Sequence, residues 1–236
     1  MFKYLKLYKT HEEYEDYLQS PEFTLPNVTH CIKQNDVHYN PLGPIVYETV
    51  DLGLPSGTIW IAQNLGARKP EDKGLFYQWA DTEGYTVDEL GSGEGQKYFD
   101  WPDYKYCQGT RDSLTKYNSA NSKLQLMDDA AYQIDNTMKV PTLAQVNELI
   151  ALPHVFEAGS GITFTGNNGN TLFIPCAGYL YQGTWRCSNE VIFITNQTST
   201  YFYNTIFAYW GDGSSMDSVS NDQGKCYGFQ IRPVLA

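Results

Sequence analysis

Residues 50–81, VDLGLPSGTIWIAQNLGARKPEDKGLFYQWAD, restrict the folding of this chain more than any other stretch. Turn chemistry at Gly53, Pro55, Ser56 and Gly57 is joined to apolar strand residues and to two tryptophans, Trp60 and Trp79. The stretch holds no nucleophile, metal or phosphate motif. A long segment of this kind predicts a scaffold that presents a surface.

The chain of 236 residues is 42% hydrophobic and 18% charged, enough to bury one or two cores. Tyrosine dominates the aromatics, with 19 Tyr against 11 Phe. A tyrosine has an apolar ring and a polar tip, so it suits half-wet surfaces and binding loops as well as β-rich cores. The formal net charge of −11 argues against a phosphate-backbone partner. Most of the acidic excess falls in residues 51–136, including Asp81, Glu83, Asp88, Glu89, Asp100, Asp103, Asp128 and Asp129. The expectation there is a solvated face, with no metal or other cofactor; calcium, which needs clustered oxygen donors, is the alternative.

Five cysteines without a CxxC pair read as reduced, mostly buried thiols. The first residues, MFKYLKLYKTHEEYEDY, contain no long apolar run, so neither a signal peptide nor a membrane span is expected.

Two domains are expected. Residues 1–46 read as an attachment segment. Thr10 and Glu13 form a capping box, Tyr14, Tyr17 and Leu18 share a helical face, and Pro21 ends the helix. Asn27 to Pro41 reads as two short strands about Gln34-Asn35-Asp36, carrying Val28, Ile32, Val37 and Tyr39. A unit this short needs something to pack on. Residues 47–236 read as an α+β domain of short, mostly antiparallel strands with two or so helices. Thr142 and Gln145 cap a helix whose buried stripe is Leu143, Val146, Leu149 and Ile150. Asp128 to Ile134 reads as a second short helix. Ile162 to Pro175 reads as a hairpin about Gly166-Asn167-Asn168-Gly169. Strands are expected near Val191 to Thr195, Tyr201 to Tyr209 and Phe229 to Val234, with a turn at Asn221 to Gly224, and 81–106 reads as a long loop. Alternation in Tyr201 to Tyr209 buries Phe202, Ile206 and Ala208 and displays Tyr201, Tyr203, Phe207 and Tyr209.

Catalytic motifs of the hydrolase, metalloprotease, P-loop and dinucleotide types are absent from the sequence. A nucleophilic pair would need His154, the only histidine after His38, with a thiol such as Cys187. Asp128 and Asp129 are neighbours, which is poor geometry for work on one atom. What remains is a C-terminal display surface: Trp185, Asn189, Asn196, Tyr201, Tyr203, Asn204, Tyr209, Trp210, Asp212 and Ser214. Such rings stack on sugars, and amides and hydroxyls bond sugar hydroxyls; the same residues suit protein contact or packing.

Several segments resemble one family in its own order. The stretch from Val50 to Asp81 is similar to the opening of the Fibrobacter succinogenes major paralogous domain, a lectin-like module. Leu124 to Gln133 and Met138 to Ile150 resemble its acidic segment and helix start, Gly161 to Tyr179 its central hairpin, and Gly228 to Ala236 its closing strand. Two positions depart. Met138-Lys139-Val140 stands where the family has Arg before Met-Pro-Thr, and Phe193 to Ser199 stands for its Trp-Ser-Ser-Thr strand, so no role of that tryptophan carries over. The leader, Leu25-Pro26-Asn27-Val28 through His38-Tyr39-Asn40-Pro41, resembles N-terminal segments of structural proteins of crAss-like and related Bacteroides phages.

These resemblances imply a C-type-lectin-like fold in a virion protein: a head fibre, capsid decoration or adhesin made in the host cytoplasm. It would be docked to other virion proteins through its N-terminus, homo-oligomeric with a trimer favoured, and would face a host-surface glycan or protein. It would have no nucleic-acid partner, no membrane and no enzymatic activity. The alternative is a bacterial carbohydrate-binding surface module.

Overall fold

Residues 45–202, 204–212 and 218–236 are described by the computed structural model. The expected attachment residues Tyr14, Tyr17, Leu18, Val28, Ile32, Val37 and Tyr39 lie outside the described residues, as do Tyr203 and Ser214.

Short strands interrupted by Gly- and Pro-containing turns cannot build one wide sheet, and from Tyr47 onward the chain forms several small antiparallel ones. The first strands are β1 (Thr49–Asp51), β2 (Ile59–Ile61), β3 (Phe76–Tyr77) and β4 (Gly84–Tyr85). Helix α1 (Ala130–Ile134), β5 (Met138–Lys139) and helix α2 (Leu143–Ile150) follow. Next come β6 (His154–Glu157), β7 (Gly161–Thr165), β8 (Thr171–Pro175), β9 (Tyr179–Tyr181) and β10 (Thr184–Arg186). The chain closes with β11 (Val191–Thr198), β12 (Thr205–Gly211), β13 (Ser218–Gly224) and β14 (Val234–Leu235). The sheets are β1-β2-β14-β5, β3-β4, β6-β7-β8, β9-β10 and β11-β12-β13. Two α-helices and many antiparallel strands make the described residues a mixed α+β domain.

The closing segment joins these sheets. Phe229 and Tyr77 exchange backbone hydrogen bonds at 2.8 and 2.9 Å, and Gly228 and Leu180 exchange two at 2.8 Å. The Ile194 N–H donates to the Gln230 carbonyl at 3.2 Å, Leu65 to Ile231 at 2.9 Å and Ile61 to Pro233 at 2.9 Å. Val234 then pairs with Trp60 on one side and Lys139 on the other. One extended stretch therefore satisfies backbone groups of β2, β3, β5, β9 and β11, which would be costly to bury unpaired. Arg232, wholly buried, adds donations from Nη1 to the carbonyls of Ile61 and Ala62.

Two main cores lie against this segment. Trp79, fully buried, belongs to one with Ile61, Ile194, Ile206 and Phe229, and its indole N–H donates to the Thr195 carbonyl at 2.9 Å. Trp60, also fully buried, belongs to the other with Val146, Leu149, Phe164 and Phe193. Both tryptophans of the 50–81 stretch are therefore packing residues, each removing well over 100 Å² from water.

Helix α2 begins at Thr142, whose hydroxyl accepts from the Gln145 N–H at 3.2 Å while the Gln145 side chain accepts from the Thr142 N–H at 2.9 Å. Val146 and Leu149 are its buried contacts. The β7–β8 hairpin turns at residues 166–170, where Asn167 and Asn168 side chains donate to the carbonyls of Gly53 and Asp51.

Two expectations need correction. Residues 221–224 are part of β13, paired to β12, and are not a turn. Phe202 precedes β12 and is 58% exposed, whereas Tyr209 is fully buried, the reverse of the simple alternation. The reason is that β12 begins only at Thr205, carries register irregularities with both partners and runs between β11 and β13, so the period of two is broken. His154 opens β6, and its Nδ1 lies 2.9 Å from the Leu152 carbonyl.

Candidate functional site: an aromatic ladder

The β9–β10 hairpin shows why a surface strip forms. Its turn is Gln182-Gly183, both at positive φ (48° and 66°), the geometry that matches strand twist in two-residue hairpins. Tyr179 pairs with Arg186 and Tyr181 with Thr184, so these four share one face, while Leu180, itself fully buried, points to the opposite face with its partner Trp185. On the exposed face the tyrosines meet Tyr227 from the closing segment and Trp210 from β12. The Tyr181 and Tyr227 rings are 4.2 Å apart, Tyr227 and Tyr179 stack at 5.5 Å with 20° between planes, and Tyr179 and Trp210 lie 5.8 Å apart. The Arg186 guanidinium lies 5.1 Å from the Tyr181 ring centre. All four rings are half-buried: their edges are held and part of each is open to solvent.

Burial raises the phenol pKa of Tyr179, Tyr181 and Tyr227, the last to about 12, and Arg186 pulls each partly back. The rings therefore stay neutral at physiological pH. The surface offers flat apolar faces, hydroxyl donors and one guanidinium, which suits non-covalent recognition of a ring-shaped polar ligand.

Several acids and a lysine of the domain are committed to the fold. Asp128 accepts from the hydroxyls of Tyr106 and Tyr117 and from Lys116 Nζ. Burial opposes its ionisation, but those donors win and hold its pKa below the usual carboxylate value. Asp129 caps α1 through the N–H groups of Ala131 and Tyr132 and also accepts from Val140. Asp103 gathers the N–H groups of Tyr98, Phe99 and Asp100. Lys225, fully buried, donates to the Tyr117 carbonyl at 2.6 Å and lies 5.1 Å from the Trp79 ring centre; burial lowers its pKa to about 7. Among the described residues, no group of three or more His, Cys, Asp or Glu side chains is placed to hold a metal ion, and no helix is long and apolar enough to cross a membrane.

The sequence-expected display surface divides. Tyr201 is 76% exposed and Trp185 37%, and Asn189 and Asp212 are exposed. Trp185 is anchored by its indole N–H on the Ala177 carbonyl at 2.8 Å and carries Lys73 over its ring. Trp210 and Asn196 are half-buried. Asn204 and Tyr209 are corrections: Asn204 is buried beside Lys225, whose N–H it accepts, and Tyr209 packs between Phe193 and Phe164. The expected surface thus contributes only Trp210 to the ladder. Tyr179, Tyr181, Arg186 and Tyr227 were not anticipated. The first three carry a readable signal, since Tyr-Leu-Tyr before Gln-Gly alternates with period two. Tyr227 carries none; it reaches the ladder through long-range pairing.

The cysteines within the described residues are free thiols. Cys226 is fully buried and its pKa is strongly raised, first by burial. The Cys187 thiol is pushed up to about 11 by burial and by Glu190. A protonated thiol is a weak nucleophile. Compared with known protein families, with curated proteins and with solved structures, the chain matches none of them.

Proposed function

We propose that this chain is a non-enzymatic virion structural protein of a Bacteroides-infecting phage, a head fibre, decoration or adhesin. In this reading residues 1–46 dock it to the particle, the domain from Tyr47 onward has a lectin-like fold, and it is displayed as a homo-oligomer, most simply a trimer. The observation that carries the binding part is the half-open ladder of Trp210, Tyr179, Tyr227 and Tyr181 on a face backed by a packed core. The particle location rests on the resemblance of the leader and of the five segments to phage-borne lectin-like modules. The raised Cys187 and Cys226 thiols, and the structural use of Asp128 and Asp129, favour binding over catalysis.

Two measurements test it. Electron microscopy and mass spectrometry of purified particles should find the polypeptide on the virion surface; particles complete without it would end the proposal. Light scattering of the full chain should give a trimer, and a monomer at micromolar concentration would remove the oligomeric part.

A further inference from the structure

We infer that the aromatic ladder recognises an acidic saccharide, a glycan bearing uronic or sialic acid, with the carboxylate on Arg186 and a sugar face on Tyr181 and Tyr227. The inference rests on the binding reading above and adds the ligand class. A guanidinium presents a planar fork of donors that fits a carboxylate with two parallel hydrogen bonds. Arg186 is exposed, and among the described residues it forms no ion pair. Its place over the Tyr181 ring limits its rotamers, so less entropy is lost when an anion is bound.

Of the two acids that bear on this face, Asp100 is engaged elsewhere. Asp100 accepts from the Trp101 N–H at 2.8 Å and from Gln182 Nε2 at 2.9 Å. Glu190 acts on the Cys187 thiol. Cross-strand pairing puts Arg186 directly opposite Tyr179 and one step diagonal from Tyr181, so the cation and the rings belong to one rigid two-stranded face. A ring roughly 5 Å across lying on Tyr181 and Tyr227 has its edge substituent beside that fork, which is where the carboxylate of a uronic or sialic acid projects. Besides its hydrogen bond with Tyr179, this arginine has no anionic partner among the described residues, so in a protein of net charge −11 it is a local exception to the prevailing sign.

The full chain should be tested on immobilised oligogalacturonate, hyaluronan and sialyllactose, each beside its carboxyl-reduced counterpart. The wild type is expected to bind at least one acidic form about tenfold or more tighter than its reduced partner. Arg186→Gln should abolish that difference and Arg186→Lys should keep only part of it, while both variants melt as the wild type does. Equal binding of acidic and reduced forms, unaffected by Arg186→Gln but lost in Tyr227→Ala, would overturn the acidic preference and leave the ladder as a sugar site. Binding of none of these saccharides would overturn the preference, and if a general glycan array were also blank the glycan reading of the ladder would fall with it.

Discussion

Asp128 and Asp129 are consecutive in the chain, yet their carboxylates serve opposite neighbourhoods. Asp128 closes a cluster of two tyrosine hydroxyls and Lys116, while Asp129 ties the start of α1 to Val140. Their protonation acts in opposite senses. The Asp128 pKa is held below its ordinary 3.8, so its stabilisation is present above that value and is lost as pH falls through the lowered one. Burial raises Asp129, so its charged form is a burden that acid relieves. Asp128→Asn should cost about 1–3 kcal/mol at neutral pH and flatten the acid limb of the stability curve. Asp129→Ala should cost about 2 kcal/mol through the lost cap. Urea titrations between acid and neutral pH would separate the two.

Lys225 gives the opposite limb. Its pKa falls from 10.5 to about 7 in the folded chain because burial disfavours the charged form. Between those values the unfolded chain binds more protons than the folded one, so stability rises with pH across the window. Lys225→Met should remove that rise, with a change at neutral pH of about 1 kcal/mol, since the discharged lysine is offset by an unpaired Tyr117 carbonyl. Denaturant midpoints of both proteins at pH 6 and pH 9 would check it; parallel curves would contradict the buried-lysine account.

Tyr209 and Tyr227 should separate packing from recognition. Tyr209→Ala removes a fully buried ring between Phe193 and Phe164 and should cost about 3–5 kcal/mol. Tyr227→Ala removes a half-buried ring and should cost about 1–2 kcal/mol while abolishing ladder binding. Thermal melts paired with saccharide binding would show whether the two effects dissociate.

Gly178 holds the hairpin at its correct approach. It has φ of +62°, and an added β-carbon would meet the Arg186 carbonyl and lie 2.6 Å from the Cys187 oxygen. Gly178→Ala should therefore cost at least about 2 kcal/mol and weaken ladder binding, because both strain and backbone contact must be relieved. A variant that melts and binds as the wild type does would show that β9 and β10 tolerate the shift.

Where neighbours along the chain decide a structure, residue order alone was enough. The Thr142–Gln145 box, the Val146 and Leu149 stripe and the Asn-Gly hairpin between β7 and β8 all follow from interactions a few residues apart. The acidic start of α1 was readable too, shifted so that Asp129 is the cap and not a helical residue. Ser218 to Gly224 has little strand preference and becomes β13 only because β12 offers it an open ladder. Phe202 and Tyr209 exchanged their expected environments because the strand starts late and its register is irregular. The ladder needs Tyr179 and Tyr227 side by side, and Tyr227 comes there because Phe229 pairs with Tyr77 and Gly228 with Leu180. Composition determined that tyrosines and tryptophans would be abundant and local order determined the caps and turns. Only tertiary pairing decided which aromatic rings are sealed and which stay half open, because that choice depends on hydrogen-bond partners more than a hundred residues away for Tyr77 and nearly fifty for Leu180.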